Sequence, residues 1–275
     1  VYTDEDGNRF PFINEGMNWG APVDRTLLTV RFEDMSGKPI AFFLNYPMHC
    51  CVMFLNNFDG EGRMGISGDI AGNVSRLVEE KYPGAVAVWS SGAAGDVDPV
   101  LFNTLIYPDP KDGHVVKEPI QDWRMSQMQL RMIVGWHFHD ICETLRKVEC
   151  AEKPVEIAAS LDWSETPGKE QPYRIRMQGL RIGELLLVGI GGELYNSFGR
   201  MLREQSPAAF TAVINHNVSL VEDAGYILDD DALARAAQEA PGTHFIPGGK
   251  SPALPGYVGP GLQLHLKKMA ADLGF

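Results

Sequence analysis

The sequence predicts an α/β protein in which central mixed β-sheets are flanked by helices. Apolar runs rich in β-branched residues recur along the chain, and segments with helical spacing of apolar residues alternate with them. The clearest run, 85–89, opens into the small-residue loop 90–95 and then reaches Asp96, Val97 and Asp98. Acids that directly follow a buried strand are typical of the carboxyl edge of a sheet, where α/β enzymes bind ligands. A plain turn with solvated Asp residues would leave the same pattern.

A β-hairpin followed by a helix is predicted in the first part of the chain. Residues 1–22 have the composition of coil, and two apolar strands over 26–32 and 40–45 flank a Ser-Gly turn at 34–38. Because Pro47 cannot donate to a ladder, the second strand should end there and place His49 just past its carboxyl end. The predicted elements that follow are a surface loop over 56–65 and a helix from Ile70, capped by Ser67 or Asp69.

The remainder of the chain predicts one long helix, a second hairpin and a strand-to-helix corner. The predicted elements are a long loop over 102–121, a helix over 126–148, strands over 155–163, 174–180, 185–190 and 210–215, and helices over 229–240 and 261–273. The long loop is expected to cover the site beside Asp98. The helix over 126–148 carries an apolar stripe that includes Met128, Met132 and Trp136. Glu193 falls at the corner after the apolar strand 185–190, which we expect to be a central strand.

Composition excludes several classes of function. The net charge of −12, from 36 acidic and 24 basic residues, argues against nucleic acid or an anionic membrane as the main partner. No run approaches the ~18 apolar residues of a transmembrane helix, and the four cysteines form no CxxC pair. No repeat divides the sequence, so we expect one domain over 1–275 with an irregular extension over 1–22. The chain lacks an initiator Met, which indicates a processed or truncated start. Cytoplasmic and secreted locations are not distinguished.

The ends of the predicted strands deliver residues that suit a divalent metal. His49, Asp98, Glu193 and His216 each follow a strand, and the next loop delivers Tyr226. Imidazole, carboxylate and phenolate groups converging on one point favour zinc (Zn²⁺), which activates water or polarises a carbonyl group. The alternative is that these residues bind no metal and are ordinary core or surface histidines and turn acids. It remains open because the sequence has no metal motif with short, fixed spacing.

Four segments, at 45–51, 66–75, 90–99 and 189–204, follow one another in the order and rough spacing of a known family. Together they resemble the catalytic domain of the neutral/alkaline ceramidases, which hydrolyse the amide of N-acylsphingosines at a zinc site. NYPMHCC at 45–51 resembles the segment of that family with a zinc-binding His, and ISGDIAGNVS at 66–75 resembles its SGDNKGYAS stretch. SSGAAGDVDP at 90–99 resembles its NxGDVSPN loop, and GIGGELYNSFGRMLRE at 189–204 resembles its PGEFTTMAGRRLR segment. The resemblance extends from about residue 23 to about residue 239. The immunoglobulin-like carboxyl-terminal domain of the family is not expected, because the chain ends in a helix.

Carried over residue by residue, the resemblance implies a partial zinc site. His49 and Glu193 match zinc ligands, and Tyr226 in GYILDDDAL matches a third. The fourth ligand of the family, a His near its amino terminus, has no match before Val23. It would lie on a missing amino-terminal segment or on a second chain from the same precursor, or it would be lost.

Two departures from the family imply altered chemistry. Asp98 stands where the family has its active-site Ser, and Gln238 stands where a Tyr contacts the reacting carbonyl. Asp98 would act as a general base, an extra metal ligand or a binding site for a cationic substrate, and Gln238 would donate to an oxyanion. Both residues are expected to be catalytic. Residues expected to line the substrate site are Ser91, Gly92, Asp96 and Asp69, although turn shaping and helix capping also explain them.

The sequence therefore predicts a zinc-dependent hydrolase of an amide or related C–N bond, with a small-molecule substrate that is polar or lipid. A non-catalytic binding subunit and an ester or lactam hydrolase on the same scaffold are the alternatives. A second chain from the same precursor or a homo-oligomer is the expected partner.

Overall fold

The computed structural model describes residues 2–3, 9–10, 20–53, 65–101, 104–108, 111, 115–119, 123–152, 154–215, 225–236 and 251–275. Within these ranges the chain is a mixed α/β structure whose two larger sheets each combine parallel and antiparallel pairs. Helices pack against both sheets. The predicted fold class, with mixed sheets flanked by helices, is confirmed.

The first sheet has three strands, which lie side by side in the order of the chain. Its strands are β3 (Leu28–Glu33), β4 (Pro39–Tyr46) and β5 (Val86–Ser91), and its helices are α1 (Asp69–Lys81) and α2 (Trp123–Leu145). The predicted hairpin is β3 paired antiparallel with β4, and β5 adds in parallel to β4. Apolar side chains of β4, α1 and α2 form one core, in which Phe42, Leu44, Ile70 and Ile141 are among the most buried. Burial of such side chains contributes ~1.5–3 kcal/mol each.

The second sheet has four strands, which also lie side by side in the order of the chain. Its strands are β8 (Ile157–Thr166), β9 (Tyr173–Ile182), β10 (Leu185–Ile190) and β12 (Phe210–Ile214), and its helices are α3 (Asn196–Gln205) and α5 (Val258–Asp272). The apolar strand β10 lies inside the sheet, as its lack of polar side chains predicted. A second core joins β9 and β10 to α3 and α5.

Small elements complete the described chain and correct two predictions. They are the antiparallel pairs β1 (Tyr2–Thr3) with β2 (Arg9–Phe10) and β6 (Thr104–Pro108) with β7 (Val115–Pro119), the parallel pair β11 (Glu193–Leu194) with β13 (Tyr226–Ile227), and α4 (Asp230–Ala236). The prediction of a loop over 102–121 was wrong at β6 and β7, which lie within that range. Its prolines Pro108 and Pro119 stand at strand ends, where they break no interior ladder. Coil over 1–22 was wrong at β1 and β2.

The apolar stripe predicted on α2 is only partly a core face. Ile133, Ile141 and Leu145 are buried as expected, but Met128 and Trp136 are 55% and 53% exposed. The spacing of apolar residues predicted the helix correctly and misjudged the width of its buried face, since two neighbouring stripes both carried apolar residues. No helix among the described residues is long and apolar enough to cross a membrane.

The two sheets meet where β12 lies beside β4 and β5. The side-chain amide of Asn45 donates to the carbonyl of Val213 at 3.0 Å, and the backbone N–H of Asn215 donates to the carbonyl of Ser91 at 3.2 Å. Both bonds join the carboxyl-terminal ends of strands from different sheets. The loops that follow β4, β5 and β10 therefore converge at this junction.

Candidate functional site

His49 lies in a short segment that is clamped to the loop after β5. Its backbone N–H donates to the carbonyl of Val97 at 2.9 Å, and the hydroxyl of Ser91 donates to the carbonyl of Met48 at 2.9 Å. The N–H of Gly92 donates to the carbonyl of Tyr46. These bonds form because Pro47 ends the β4 ladder and frees the backbone groups that follow it. The His49 segment and the loop after β5 thus form one rigid wall.

Glu193 contacts the His49 ring across the junction of the sheets. The Nε2 atom of His49 is 2.9 Å from Oε2 of Glu193. Glu193 is paired with Tyr226 in the parallel β11–β13 ladder, and the ring of Tyr226 lies 6.5 Å from that of His49. The structure therefore brings together the three side chains that the sequence predicted as zinc ligands. Their role as ligands stays a prediction.

Both nitrogens of the His49 ring face oxygen atoms. The Nδ1 atom lies 3.3 Å from the carbonyl oxygen of Val97 and 3.9 Å from Oδ1 of Asp98, while Nε2 faces Glu193. Burial opposes protonation, but the hydrogen bond to Glu193 and the charge of Asp98 outweigh it and raise the pKa of His49 above 6.5. The arrangement favours a cation at this ring.

Asp98 is half in solvent and is held by a thiol. Its side chain is 41% exposed, and its Oδ1 atom accepts a hydrogen bond from the thiol of Cys51 at 3.4 Å. Burial, followed by the charge of Asp98, raises the pKa of the Cys51 thiol, so the sulfur keeps its proton and acts as the donor. The structure places Asp98 beside His49 without assigning its role.

The loop after β5 is fastened to the Glu193 corner by Gly95 and Asp96. The N–H of Gly95 donates to the carbonyl of Leu194 at 2.9 Å. A Cβ atom at Gly95 would lie 2.6 Å from the carbonyl oxygen of Glu193, so only glycine permits this approach. Oδ1 of Asp96 accepts the N–H of Asn196 at the start of α3, where the helix dipole favours a negative charge.

Asp69 holds the chain that follows the two cysteines. Its buried carboxylate accepts the N–H groups of Val52 at 3.3 Å and Met53 at 2.8 Å. Its φ of +43° is a left-handed conformation that Asp tolerates better than most residues. The carboxylate is thus committed to the backbone of the wall that carries His49. The substrate contacts predicted for Asp69, Ser91, Gly92 and Asp96 stay predictions.

Two asparagines that the sequence did not single out position the Glu193 corner. Oδ1 of Asn215 accepts the N–H of Leu194 at 2.5 Å. Asn196 donates from Nδ2 to the carbonyl of Ala93 at 2.9 Å and accepts the N–H of Asp24 at 2.6 Å. Each contact joins residues far apart in the chain, so no local pattern identifies it. Gln238 and His216 lie outside the described residues.

The candidate metal site consists of the side chains of His49 and Glu193, with the phenol of Tyr226 beside them. Among the described ranges, no group of three His, Cys, Asp or Glu side chains is arranged to hold a metal ion. His49 and Glu193 supply one nitrogen and one carboxylate, and Tyr226 would add a phenolic oxygen. Nitrogen and oxygen donors of this kind fit zinc. The residues present are therefore compatible with an ion held between His49 and Glu193.

Comparison with known proteins identifies the fold. No protein-family model and no curated protein sequence matches the chain. Among solved structures, the neutral ceramidase from Pseudomonas aeruginosa is 17% identical with a TM-score of 0.58, and the match covers 89% of this chain and 46% of that one. A ceramidase solved in complex with C2 is 16% identical with a TM-score of 0.60, covering 91% of this chain and 48% of that one. The chain spans about half the length of these structures and shares its fold with the matched part of the ceramidases.

Proposed function

We propose that this chain carries the metal-binding part of a zinc-dependent hydrolase that cleaves an amide or related C–N bond. The observation that carries the proposal is the contact between Nε2 of His49 and Glu193, made while Nδ1 faces the carbonyl of Val97. The ceramidase-like fold and the resemblance of four sequence segments to ceramidases support the same reaction class.

The hydrogen-bond inventory of the ring supports a cation between His49 and Glu193. A neutral imidazole has one N–H donor and one lone pair. If Nδ1 donates to Val97, the lone pair of Nε2 points at a carboxylate, and the two repel each other unless a proton or a metal ion lies between them. Two ligand atoms that bind one tetrahedral zinc at ~2.0–2.2 Å are ~3.3 Å apart. The observed distance of 2.9 Å between Nε2 and Oε2 is that of a direct hydrogen bond, so the two atoms would move apart by ~0.4 Å to bind zinc.

We propose His49, Glu193 and Tyr226 as the protein ligands. Three protein ligands leave the fourth position open to water or substrate, which is the arrangement of catalytic zinc sites. When bound, zinc would lower the pKa of a water molecule and polarise the carbonyl group of the amide. Ser91, Gly92 and Asp96, at the end of β5 and on the loop after it, would border the substrate. Gln238 is the proposed donor to the developing oxyanion.

The substrate is proposed to be an amide that differs from the N-acylsphingosines cleaved by ceramidases. Asp98 in place of the family's Ser supports this, because a carboxylate cannot repeat the role of a hydroxyl group at the reacting carbonyl. Small polar amides and N-acyl lipids are both candidates. We also propose that one domain over 1–275 acts with a second chain or with another copy of itself, because no residue before Val23 matches the fourth zinc ligand of the ceramidases.

The test is metal content followed by turnover. We expect the purified protein to contain about one zinc per chain by mass spectrometry of metals, and zinc at ~100 times Kd to stabilise it by ~2.7 kcal/mol. Release of amine from a panel of short-chain and long-chain N-acyl amides should require the metal and return when it is restored to chelator-treated protein. Absence of zinc binding, together with an unchanged melting temperature on adding zinc, would refute the proposal.

A non-catalytic binding subunit is the second candidate. It is favoured by Asp98 in place of Ser and by the lack of a three-member His, Cys, Asp or Glu cluster in the described part of the chain. This candidate predicts amide binding, seen as a ligand-dependent melting shift, with no amine released from any substrate in the panel. Amine release that depends on zinc would eliminate it.

A further inference from the structure

We propose that Asp98 is a positioning residue that acts through His49, and that it is neither a zinc ligand nor the general base. This inference rests on the proposed zinc site. It argues against two of the roles that the sequence leaves open for Asp98, metal ligand and general base, and assigns a role that the sequence did not suggest. The geometry on the two sides of the His49 ring carries it.

Asp98 and Glu193 lie at different nitrogens of the same ring. Oδ1 of Asp98 is 3.9 Å from Nδ1, whereas Oε2 of Glu193 is 2.9 Å from Nε2. The lone pairs of the two nitrogens point away from each other, and oxygen ligands of one zinc lie within ~4 Å of each other. An ion held by Nε2 and Glu193 is therefore screened from Asp98 by the imidazole ring itself. This argues against Asp98 as an additional ligand.

The Nδ1 side has the construction of an outer-shell support. The carbonyl of Val97 accepts the backbone N–H of His49 at 2.9 Å and lies 3.3 Å from its ring Nδ1, so the same oxygen orients the ring when Nδ1 carries the proton. The Asp98 carboxylate adds a negative charge beside the same nitrogen. Ligating histidines commonly donate their second N–H to a carbonyl or carboxylate, which fixes the tautomer and makes the other nitrogen a better ligand.

Asp98 is in turn fixed by a neighbour of His49. The thiol of Cys51 donates to Oδ1, the same atom that faces Nδ1. The N–H of Val97 donates to the carbonyl of Ala94 at 3.0 Å, which stiffens the loop that carries the carboxylate. A carboxylate that is tied to the rear of the ring is poorly placed to take a proton from water on the Glu193 side, where a general base must lie within ~3.2 Å.

The experiment compares Asp98→Asn and Asp98→Ala with Glu193→Ala in the full chain. Zinc affinity is measured by competition with a chelating dye, and Co²⁺ is used as a spectroscopic substitute. We expect each Asp98 variant to bind zinc about tenfold more weakly, at the lower end of the range for outer-shell partners, with an unchanged Co²⁺ absorption spectrum. The tenfold difference should shrink at 0.5 M salt because Asp98 is 41% exposed. Glu193→Ala should bind zinc more weakly than either Asp98 variant and should alter the Co²⁺ absorption spectrum.

The control is Glu80→Gln, which removes one negative charge from the exposed face of α1 and should leave zinc affinity within twofold. Equal affinity of wild type and both Asp98 variants would overturn the inference, as would a Co²⁺ spectrum altered to the extent seen in Glu193→Ala. A fall in turnover with zinc affinity intact would assign Asp98 as the general base and also overturn it. If the wild type itself binds no zinc, the proposed function fails and the inference fails with it.

Discussion

His49 and His137 are both withdrawn from solvent, yet their surroundings give them opposite properties. The His49 ring stands between oxygen atoms of Val97 and Glu193. The His137 ring, 7% exposed, accepts a hydrogen bond from the indole N–H of Trp89 at 2.9 Å. Burial lowers the pKa of His137 to about 4, whereas at His49 the acceptors outweigh burial and raise the pKa.

The difference shows that the partners of a buried histidine, rather than its burial, decide whether it can bind a cation. Trp89 is a donor, so Nε2 of His137 is committed as an acceptor and the ring stays neutral in the core between β5 and α2. Acceptors at both nitrogens of His49 leave one of them in need of a proton or a metal. The two rings also differ in their place in the fold, because His49 follows the end of β4 and His137 lies inside α2.

The largest expected effect is the loss of zinc affinity when His49 is replaced. His49→Ala should lower zinc affinity by at least ~100-fold, about 2.7 kcal/mol at 25 °C, because one of three proposed ligands is lost. Titration with zinc in a competing chelator measures this. His137→Gln is the matched control, since a glutamine carbonyl can still accept the Trp89 N–H, and it should retain wild-type affinity. Undiminished zinc binding by His49→Ala would refute the ligand assignment.

The second effect concerns stability at low pH and originates at His137. Since the folded pKa is about 4 and the unfolded one ~6.5, the unfolded chain binds the extra proton between these values. Neutral His137 therefore makes its full contribution to the free energy of unfolding above pH 6.5. This contribution, about 3 kcal/mol, is lost as the pH falls toward 4. Urea unfolding of wild type and His137→Gln between pH 4 and 7 should show this component in the wild type alone. Parallel pH profiles would contradict the assignment.

The third effect concerns the backbone at Gly95, where the loop after β5 contacts the Glu193 corner. At Gly95 a Cβ atom would meet the carbonyl oxygens of Glu193 and Leu194 at 2.6 and 3.0 Å. Gly95→Ala should therefore destabilise the protein by ~2 kcal/mol and weaken zinc binding, because the His49 wall is pushed from the Glu193 corner. The matched control is Gly72→Ala on α1, where a Cβ meets nothing within 4 Å. It should stabilise the helix by ~0.5–1 kcal/mol. The two variants are compared by urea unfolding and zinc titration, and equal behaviour would contradict this account.

Local chemistry made much of the fold predictable. The hairpin of β3 and β4, the end of β4 before Pro47 and the corner at Glu193 follow from apolar runs interrupted by turn residues. The two strands β6 and β7 were missed because each is short and ends in proline. The exposed face of α2 was misjudged because Met128 and Trp136 are as apolar as core residues.

For the candidate site, the sequence predicted which residues follow the ends of strands, but local patterns did not predict which of them lie in contact. His49 and Glu193 are separated by 144 positions in the chain, and no spacing rule connects them. The bond from the Asn215 N–H to the carbonyl of Ser91 depends on how the two sheets meet, which the order of residues does not encode locally. Resemblance to a family supplied the pairing of His49 with Glu193. The position of Asp98 on the Nδ1 side of the ring is set by the loop after β5, and no sequence pattern indicates it.

The smallest expected effect is the pH dependence of the metal-free protein that originates at His49. Its folded pKa is raised above the unfolded value of ~6.5, so the folded state holds the extra proton in the window above pH 6.5. The stabilisation is complete below pH 6.5 and is lost as pH rises through the folded pKa, which is opposite in sign to that of His137. It should also be smaller, because solvent screens a side chain that is 21% exposed.

Urea unfolding of chelator-treated wild type and His49→Gln between pH 6 and 9 measures this component as the difference between the two profiles. Saturating zinc should remove it from the wild type, since the metal and the proton compete for the same nitrogen. A metal-free wild type that gains stability relative to His49→Gln as pH rises would show that Glu193 and Asp98 do not govern the ring. The contrast between the two histidines would then reduce to burial alone.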